Sequence, residues 1–190
     1  MDFEIRIIEF LQAGRSDFFD VVFQIISQLG SVLGVIALCA FFFLRRSNNW
    51  FWYLFTYGFV NLTVRIIKGT VQRIRPFNAT DTILNIGDAV QDFSFPSGHA
   101  ACATAIAIFL AFYLFSCFKG KWARVGIVVS CSVYVLLVCL SRMYLGKHYL
   151  TDVIAGVLIS AVICAIGIWF RKFCQKKAKE YLARREANEN

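Results

Sequence analysis

The chain holds two histidines, His99 and His148, and two prolines, Pro76 and Pro96. Around them, polar residues gather in three short clusters within an otherwise apolar sequence. The first runs Lys68-Gly69-Thr70-Val71-Gln72-Arg73-Ile74-Arg75-Pro76, the second Pro96-Ser97-Gly98-His99, and the third joins Ser141-Arg142 to His148 and Asp152. Charge beside stretches long enough to cross a bilayer is costly and commonly marks a site. Cations, hydroxyls, imidazoles and a carboxylate are together what is needed to grip and cleave a phosphate.

Each cluster has a bland reading and a chemical one. Ser97 can cap a helix whose first N–H groups lack internal partners and point at an anion. Gly98 lets a ligand come close, and His99 falls in the first turn, where an imidazole holds a proton poorly unless an anion is bound. A plain capped helix start is the alternative. His148 and Asp152, four apart, share one helical face. The carboxylate can fix the tautomer of the imidazole and stabilise its cation, leaving the other ring nitrogen as a nucleophile. A local His–Asp hydrogen bond is the alternative. Arg142 precedes His148 across a Gly146-containing turn and can bind phosphate oxygens bidentately. Lys68 and Arg75 could be a snorkelling collar or the rest of an anion cradle. The residues alone do not say which histidine attacks. Arg73 and Lys147 are expected to be surface charges, with contact to a second phosphate or head group as the alternative. Asp81, Asp88 and Asp92 are expected at the rim.

These clusters need a scaffold. Of 190 residues, 58% are hydrophobic and twenty are phenylalanine, unlike a soluble domain of this size. Roughly 20 apolar residues cross a hydrocarbon core, and five stretches qualify, near 22–44, 50–68, 97–118, 122–142 and 149–170. The expected fold is therefore all-α: one integral-membrane domain over 1–190. It comprises an interfacial helix within 1–16, a helix bundle over 17–170 and a basic, helical-patterned tail over 171–190. The segment 2–13 lacks the basic start and cleavage site of a secretory signal. No internal repeat is evident. The seven cysteines contain no CxxC and read as small buried hydrophobes rather than a disulfide framework or zinc site. The formal charge of +8 sits at the ends of apolar stretches, which is a topology pattern and not a nucleic-acid footprint.

Arg45 and Arg46, then Lys119, Lys121 and Arg124, then Arg171, Lys172, Lys176, Lys177 and Lys179 fall on one side after five crossings. The excess of lysine and arginine makes that side, with the C-terminus, cytoplasmic. The same count puts all three polar clusters on the opposite face. Asn78-Ala79-Thr80 is a glycosylation sequon on that face.

The pattern Lys68-x6-Arg75-Pro76, Pro96-Ser97-Gly98-His99 and Ser141-Arg142-x5-His148-x3-Asp152 resembles, without departure, the three-part signature of the type 2 phosphatidic acid phosphatase (PAP2) superfamily. It spans residues 68–152. The resemblance implies that His148 attacks phosphorus to form a phosphohistidine, that Asp152 orients it, and that His99 protonates the leaving oxygen and then helps activate water. Lys68, Arg75, Ser97, Gly98 and Arg142 would hold the phosphoryl oxygens. No metal or cofactor is implied, because cations and a helix end take that electrostatic role. The implied partners are the bilayer and a membrane lipid phosphate; nothing indicates an oligomeric state. Small bacterial-type members resemble polyprenyl (undecaprenyl) diphosphate phosphatases, the preferred reading, and phosphatidylglycerophosphate or phosphatidate phosphatases. Vanadium haloperoxidases resemble the same signature but are soluble oxidants. A scaffold or transporter would not need His99, His148 and Asp152 together.

Overall fold

The computed structural model describes residues 2–47, 49–88 and 90–189 and is all-helical over them. The helices are α1 (Asp2–Ala13), α2 (Asp17–Leu29), α3 (Val32–Leu44), α4 (Asn49–Val71), α5 (Pro76–Ala79), α6 (Gly98–Cys117), α7 (Lys121–Tyr144) and α8 (Leu150–Glu189). The expected helix over 22–44 is instead two helices, α2 and α3, bent by 50°. The break falls at Gly30-Ser31, where the Ser31 side chain accepts from the Leu33 N–H and starts a new helix. Ser16 caps α2 in the same way, with Asp17 and Asp20 in its first turn.

The helices α6, α7 and α8 are each long and apolar enough to cross a bilayer, and the bent α2–α3 pair can supply a fourth crossing. The fifth expected crossing, α4, has 23 residues, about 34 Å at 1.5 Å per residue. It carries Arg65 and Lys68 and falls short of the others in apolarity. Large side chains point outward along the bundle, among them Leu136, Leu158, Val162 and Ile166. Exposure on that scale needs lipid rather than water around it.

The central helix is α6, which packs on α8, α7, α4 and α3. Its buried face carries Ala100, Ala101, Ala103, Ala105 and Ala107, and small residues let membrane helices approach closely. Gly156 of α8 completes this fit. A Cβ there would lie 2.4 Å from the Ser97 carbonyl oxygen, so only glycine lets α8 meet the start of α6. A core around Phe42, Tyr53, Val60 and Phe109 fills the middle of the bundle, and Ile8, Ile83, Met143, Tyr149 and Val153 fill one end.

That end gathers the finish of α4, the start of α6, the α7–α8 turn and the loop between α5 and α6. The expected interfacial helix α1 docks there too. Ile8 is fully buried while Phe3 and Phe10 face outward, and Gln12 bonds the backbone of Leu84 and Tyr144. At the other end, the 171–190 tail continues α8 as one helix of 40 residues. Cys102, Cys139 and Cys164 are buried as expected, whereas Cys117 is exposed.

Candidate active site

The three polar clusters meet at the end where α1 docks, around a cavity of about 560 Å³. Six of the eight expected site residues line it: Lys68, Arg75, Gly98, His99, Arg142 and His148. Ser97 and Asp152 stand behind the wall. Ser97 is fully buried and caps α6, its hydroxyl accepting from the Ala100 N–H at 3.4 Å. Its own N–H donates to the Asp152 carbonyl at 2.9 Å, which ties the start of α6 to the start of α8. A Cβ at Gly98 would meet only Val64, at 3.9 Å. The glycine therefore leaves room in front of the helix end that no protein group needs.

His148 lies in the turn between α7 and α8, held by its N–H to the Arg142 carbonyl at 3.3 Å. Gly146, at φ +72°, makes that turn possible. The His148 Nδ1 lies 3.6 Å from Asp152 Oδ2, within ion-pair distance but longer than a hydrogen bond. The Nε2 lies 3.4 Å from an Arg75 guanidinium nitrogen. Burial pushes the imidazole well below its ordinary pKa, and repulsion from Arg142 and Arg75 adds to this against the pull of Asp152. It is thus held neutral, with Nε2 beside the cations.

Asp152 is wholly buried. Its Oδ2 accepts from the Tyr149 N–H at 2.8 Å and from the Ser94 hydroxyl. Its Oδ1 accepts from Arg73 at 2.7 Å. Arg73 also donates to Glu4 at 2.8 Å and lies 3.9 Å over the Tyr149 ring. Arg73 is therefore not the expected surface charge, nor does it line the cavity; it braces the carboxylate from behind. Ser94 and Glu4 were not legible as site neighbours, because neither stands in a cluster and both arrive through tertiary contacts. Lys147 is likewise buried rather than at the surface. It donates to Asn85 and to the Asp88 carbonyl, strapping the loop to the His148 turn. Burial, with Arg142 and Arg75 nearby, pushes its pKa down to about 8.

The cradle cations differ in their partners. Arg142 donates to the Ser27 hydroxyl at 2.7 Å, while its buried Nε has no partner among the described residues. A buried unpaired donor costs about 1–3 kcal/mol, more when charged, so this one calls for an acceptor in the cavity. Lys68 and Arg75 are both engaged by Asp92, Lys68 at 2.8 Å. Asp92, expected at the rim, is half exposed there, and its carboxylate reaches into the cradle. Burial would raise its pKa, but hydrogen bonds from Lys68 and Arg75 hold it below the usual range.

Comparison with known proteins finds a family and several relatives. The sequence profile of the PAP2 superfamily fits residues 49–176. Phosphatidylglycerophosphatase B of Bacillus subtilis is 29% identical over 133 residues, covering 68% of this chain and 61% of that protein. Undecaprenyl-diphosphatase of Sulfolobus acidocaldarius is 31% identical over 114 residues, covering 57% and 51%. The chain thus spans about half to three fifths of the length of these relatives. The crystal structure of a transmembrane PAP2-type phosphatidylglycerolphosphate phosphatase from Bacillus subtilis superposes with a TM-score of 0.76 at 25% identity, covering 90% of this chain and 85% of that one.

Proposed function

The chain belongs to the PAP2 superfamily, and on that premise we propose that it is a membrane lipid phosphatase working through a phosphohistidine. One observation carries this reading: the buried His148 turns Nε2 toward a cavity ringed by cations, with Nδ1 toward Asp152. Nε2 attacks phosphorus as the bond to the leaving oxygen breaks, and His99 gives that oxygen a proton. Water then attacks the phosphohistidine, His99 takes its proton, and phosphate leaves. Asp152 stabilises the imidazolium that forms. Lys68, Arg75, Arg142 and the N–H groups at Gly98 and His99 hold the phosphoryl oxygens, where fixed donors count most as charge develops.

Asn61 and Val64 of α4 and Gly98 and His99 of α6 line the cavity beside its loop residues, which suits a substrate whose tail stays in the bilayer. Polyprenyl diphosphate is the substrate we prefer. Phosphatidylglycerophosphate is the second reading, favoured by the Bacillus subtilis relatives. The site faces away from the cytoplasm on the charge distribution of the loops. A cysteine replacing the exposed Asp81, in a background without the native cysteines, should react with an impermeant reagent in sealed cells. Protection would reverse the topology.

The deciding experiment is phosphate release in detergent micelles from undecaprenyl diphosphate, phosphatidylglycerophosphate, phosphatidate and a soluble sugar phosphate. The wild type should release phosphate from a lipid and form an acid-labile phosphoenzyme. His148→Ala should do neither while melting at an unchanged temperature; turnover by that variant would end the mechanism.

A further inference from the structure

The cationic wall continues one helical turn beyond the residues that grip a transferred phosphoryl group. Arg65 lies three residues before Lys68 on α4 and lines the same cavity, with Asn61 a turn further on. Lys68 and Arg75 are paired with Asp92, and Arg73 with Glu4 and Asp152, whereas among the described residues no ion pair involves Arg65. Its helix neighbours Leu62 and Ile66 face outward. A lone guanidinium between such residues is costly in a membrane helix unless something anionic meets it.

Charge and position say what that is. The cavity is lined by four cations, Arg65, Lys68, Arg75 and Arg142, and one carboxylate, Asp92. Leaving the histidines out of the count, the surplus is 4 − 1 = 3. A phosphate monoester carries about −1.5 to −2 at neutral pH and leaves part of this unmatched. Three residues of helix set Arg65 about 4.5 Å from Lys68 along the axis, toward the middle of α4 and so toward the bilayer interior. In a lipid diphosphate, the chain-bearing phosphate is displaced from the terminal one in that same direction.

We propose that Arg65, with Asn61, forms a second phosphate subsite that holds the lipid-attached phosphate of a prenyl-type diphosphate while the terminal phosphate sits among Lys68, Arg75 and Arg142. This rests on the lipid phosphatase reading above and names its substrate class. His148 attacks the terminal phosphorus, the bond to the bridging oxygen breaks, and the electron pair leaves on the lipid monophosphate, whose new charge Arg65 faces.

The test compares farnesyl diphosphate with farnesyl monophosphate in detergent micelles, for the wild type, Arg65→Gln and Arg65→Lys. In Arg65→Gln, kcat/KM should fall at least tenfold more for the diphosphate than for the monophosphate, and Arg65→Lys should lie between. Equal losses on both substrates, no loss on the diphosphate, or a wild type that hydrolyses the monophosphate alone would overturn the subsite. Binding is read separately by thermal shift with inorganic pyrophosphate and orthophosphate. The wild type should be stabilised at several-fold lower pyrophosphate, and Arg65→Gln should lose that preference; an unchanged preference overturns the proposal. A wild type that releases no phosphate yet shows a preference dependent on Arg65 would retain the subsite and refute the phosphatase reading.

Discussion

The guanidinium of Arg73 donates to Asp152 Oδ1 at 2.7 Å, on the side of the carboxylate away from His148. The other oxygen, Oδ2, is thereby left to Tyr149, Ser94 and the His148 Nδ1. Arg73 fixes which edge of the carboxylate the imidazole sees. Because it does not line the cavity, its removal should act on the chemical step and not on binding. Arg73→Met is expected to lower kcat at least tenfold with KM changed less than threefold. Arg73→Lys, which can reach only one of Glu4 and Asp152, should recover part of the rate. If Arg73 held a head group instead, steady-state kinetics would show KM rising with kcat preserved.

Asp92 stands where phosphoryl oxygens would bind, so substrate must displace it from Lys68 and Arg75. Its side chain is 53% exposed, which limits the strength of the contact to about 1 kcal/mol, a factor of about five in affinity. Because the pair holds the carboxyl below its usual range, the contact is complete above the ordinary carboxylate pKa and lost only as pH falls through the lower one. Neutral pH therefore leaves the cradle self-paired. Asp92→Asn should lower KM, and the vanadate concentration for half inhibition, by about fivefold at pH 7. A rise in either would mean that Asp92 orders the cradle rather than competing for it.

His99 should matter unequally to different leaving groups. A lipid monophosphate departs readily as an anion, since its second pKa lies near 6, whereas an alcohol departs only with a proton. General acid catalysis contributes about 10²–10⁴-fold where it is needed. His99→Asn is expected to lose at least ten times more activity on farnesyl monophosphate than on farnesyl diphosphate. Equal losses would assign His99 to the water step that both substrates share.

The parts legible in the sequence are those written in local spacing. Apolar runs located the membrane helices, and the His148–Asp152 interval put both groups in one turn. The signature found the cavity wall through Lys68, Arg75, Gly98, His99, Arg142 and His148. What escaped depends on contacts across the fold. Asp92 reaches the cradle only because the loop returns along Arg73, with the Ser94 N–H bonded to the Arg73 carbonyl at 2.7 Å. Arg73 and Lys147 looked like solvated charges because burial of a cation cannot be read without its partner. The α2–α3 break did leave a signal: Gly30-Ser31 inside an apolar run is a chain-breaking pair.

Gly156 offers a structural control on the site. An added methyl there would press on the Ser97 carbonyl at 2.4 Å and push the start of α8 off α6. Overpacking of this kind costs about 1–3 kcal/mol, and it would shift His148 and Asp152 against Gly98 and His99. Gly156→Ala should lower both the melting temperature and kcat. Gly126→Ala, on α7 where a Cβ meets nothing within 4 Å, should leave both unchanged or raise stability by up to about 1 kcal/mol. Similar outcomes for the two variants would refute the contact as the cause.

The last dependence runs through α1. Glu4 accepts from the Thr151 N–H at 2.9 Å, the Thr151 hydroxyl at 2.7 Å and Arg73 at 2.8 Å. Burial would raise its pKa, but these bonds from Thr151 and Arg73 win and lower it from the ordinary 4.5. A lowered carboxyl pKa means that the unfolded chain binds the proton more readily, so stability from Glu4 is complete above pH 4.5 and drains away as pH falls through the folded value. Hydrogen bonds to a charged group contribute about 1.5–3 kcal/mol. At 2–4 °C per kcal/mol, Glu4→Gln should melt about 3–12 °C below the wild type at pH 7. The gap should narrow as the pH falls below 4.5 and through the lower folded value, because the wild-type carboxyl is then protonated as well. Melting curves of both proteins across that range check the sign: a gap that widens in acid would show that α1 is held by something other than the Glu4 charge.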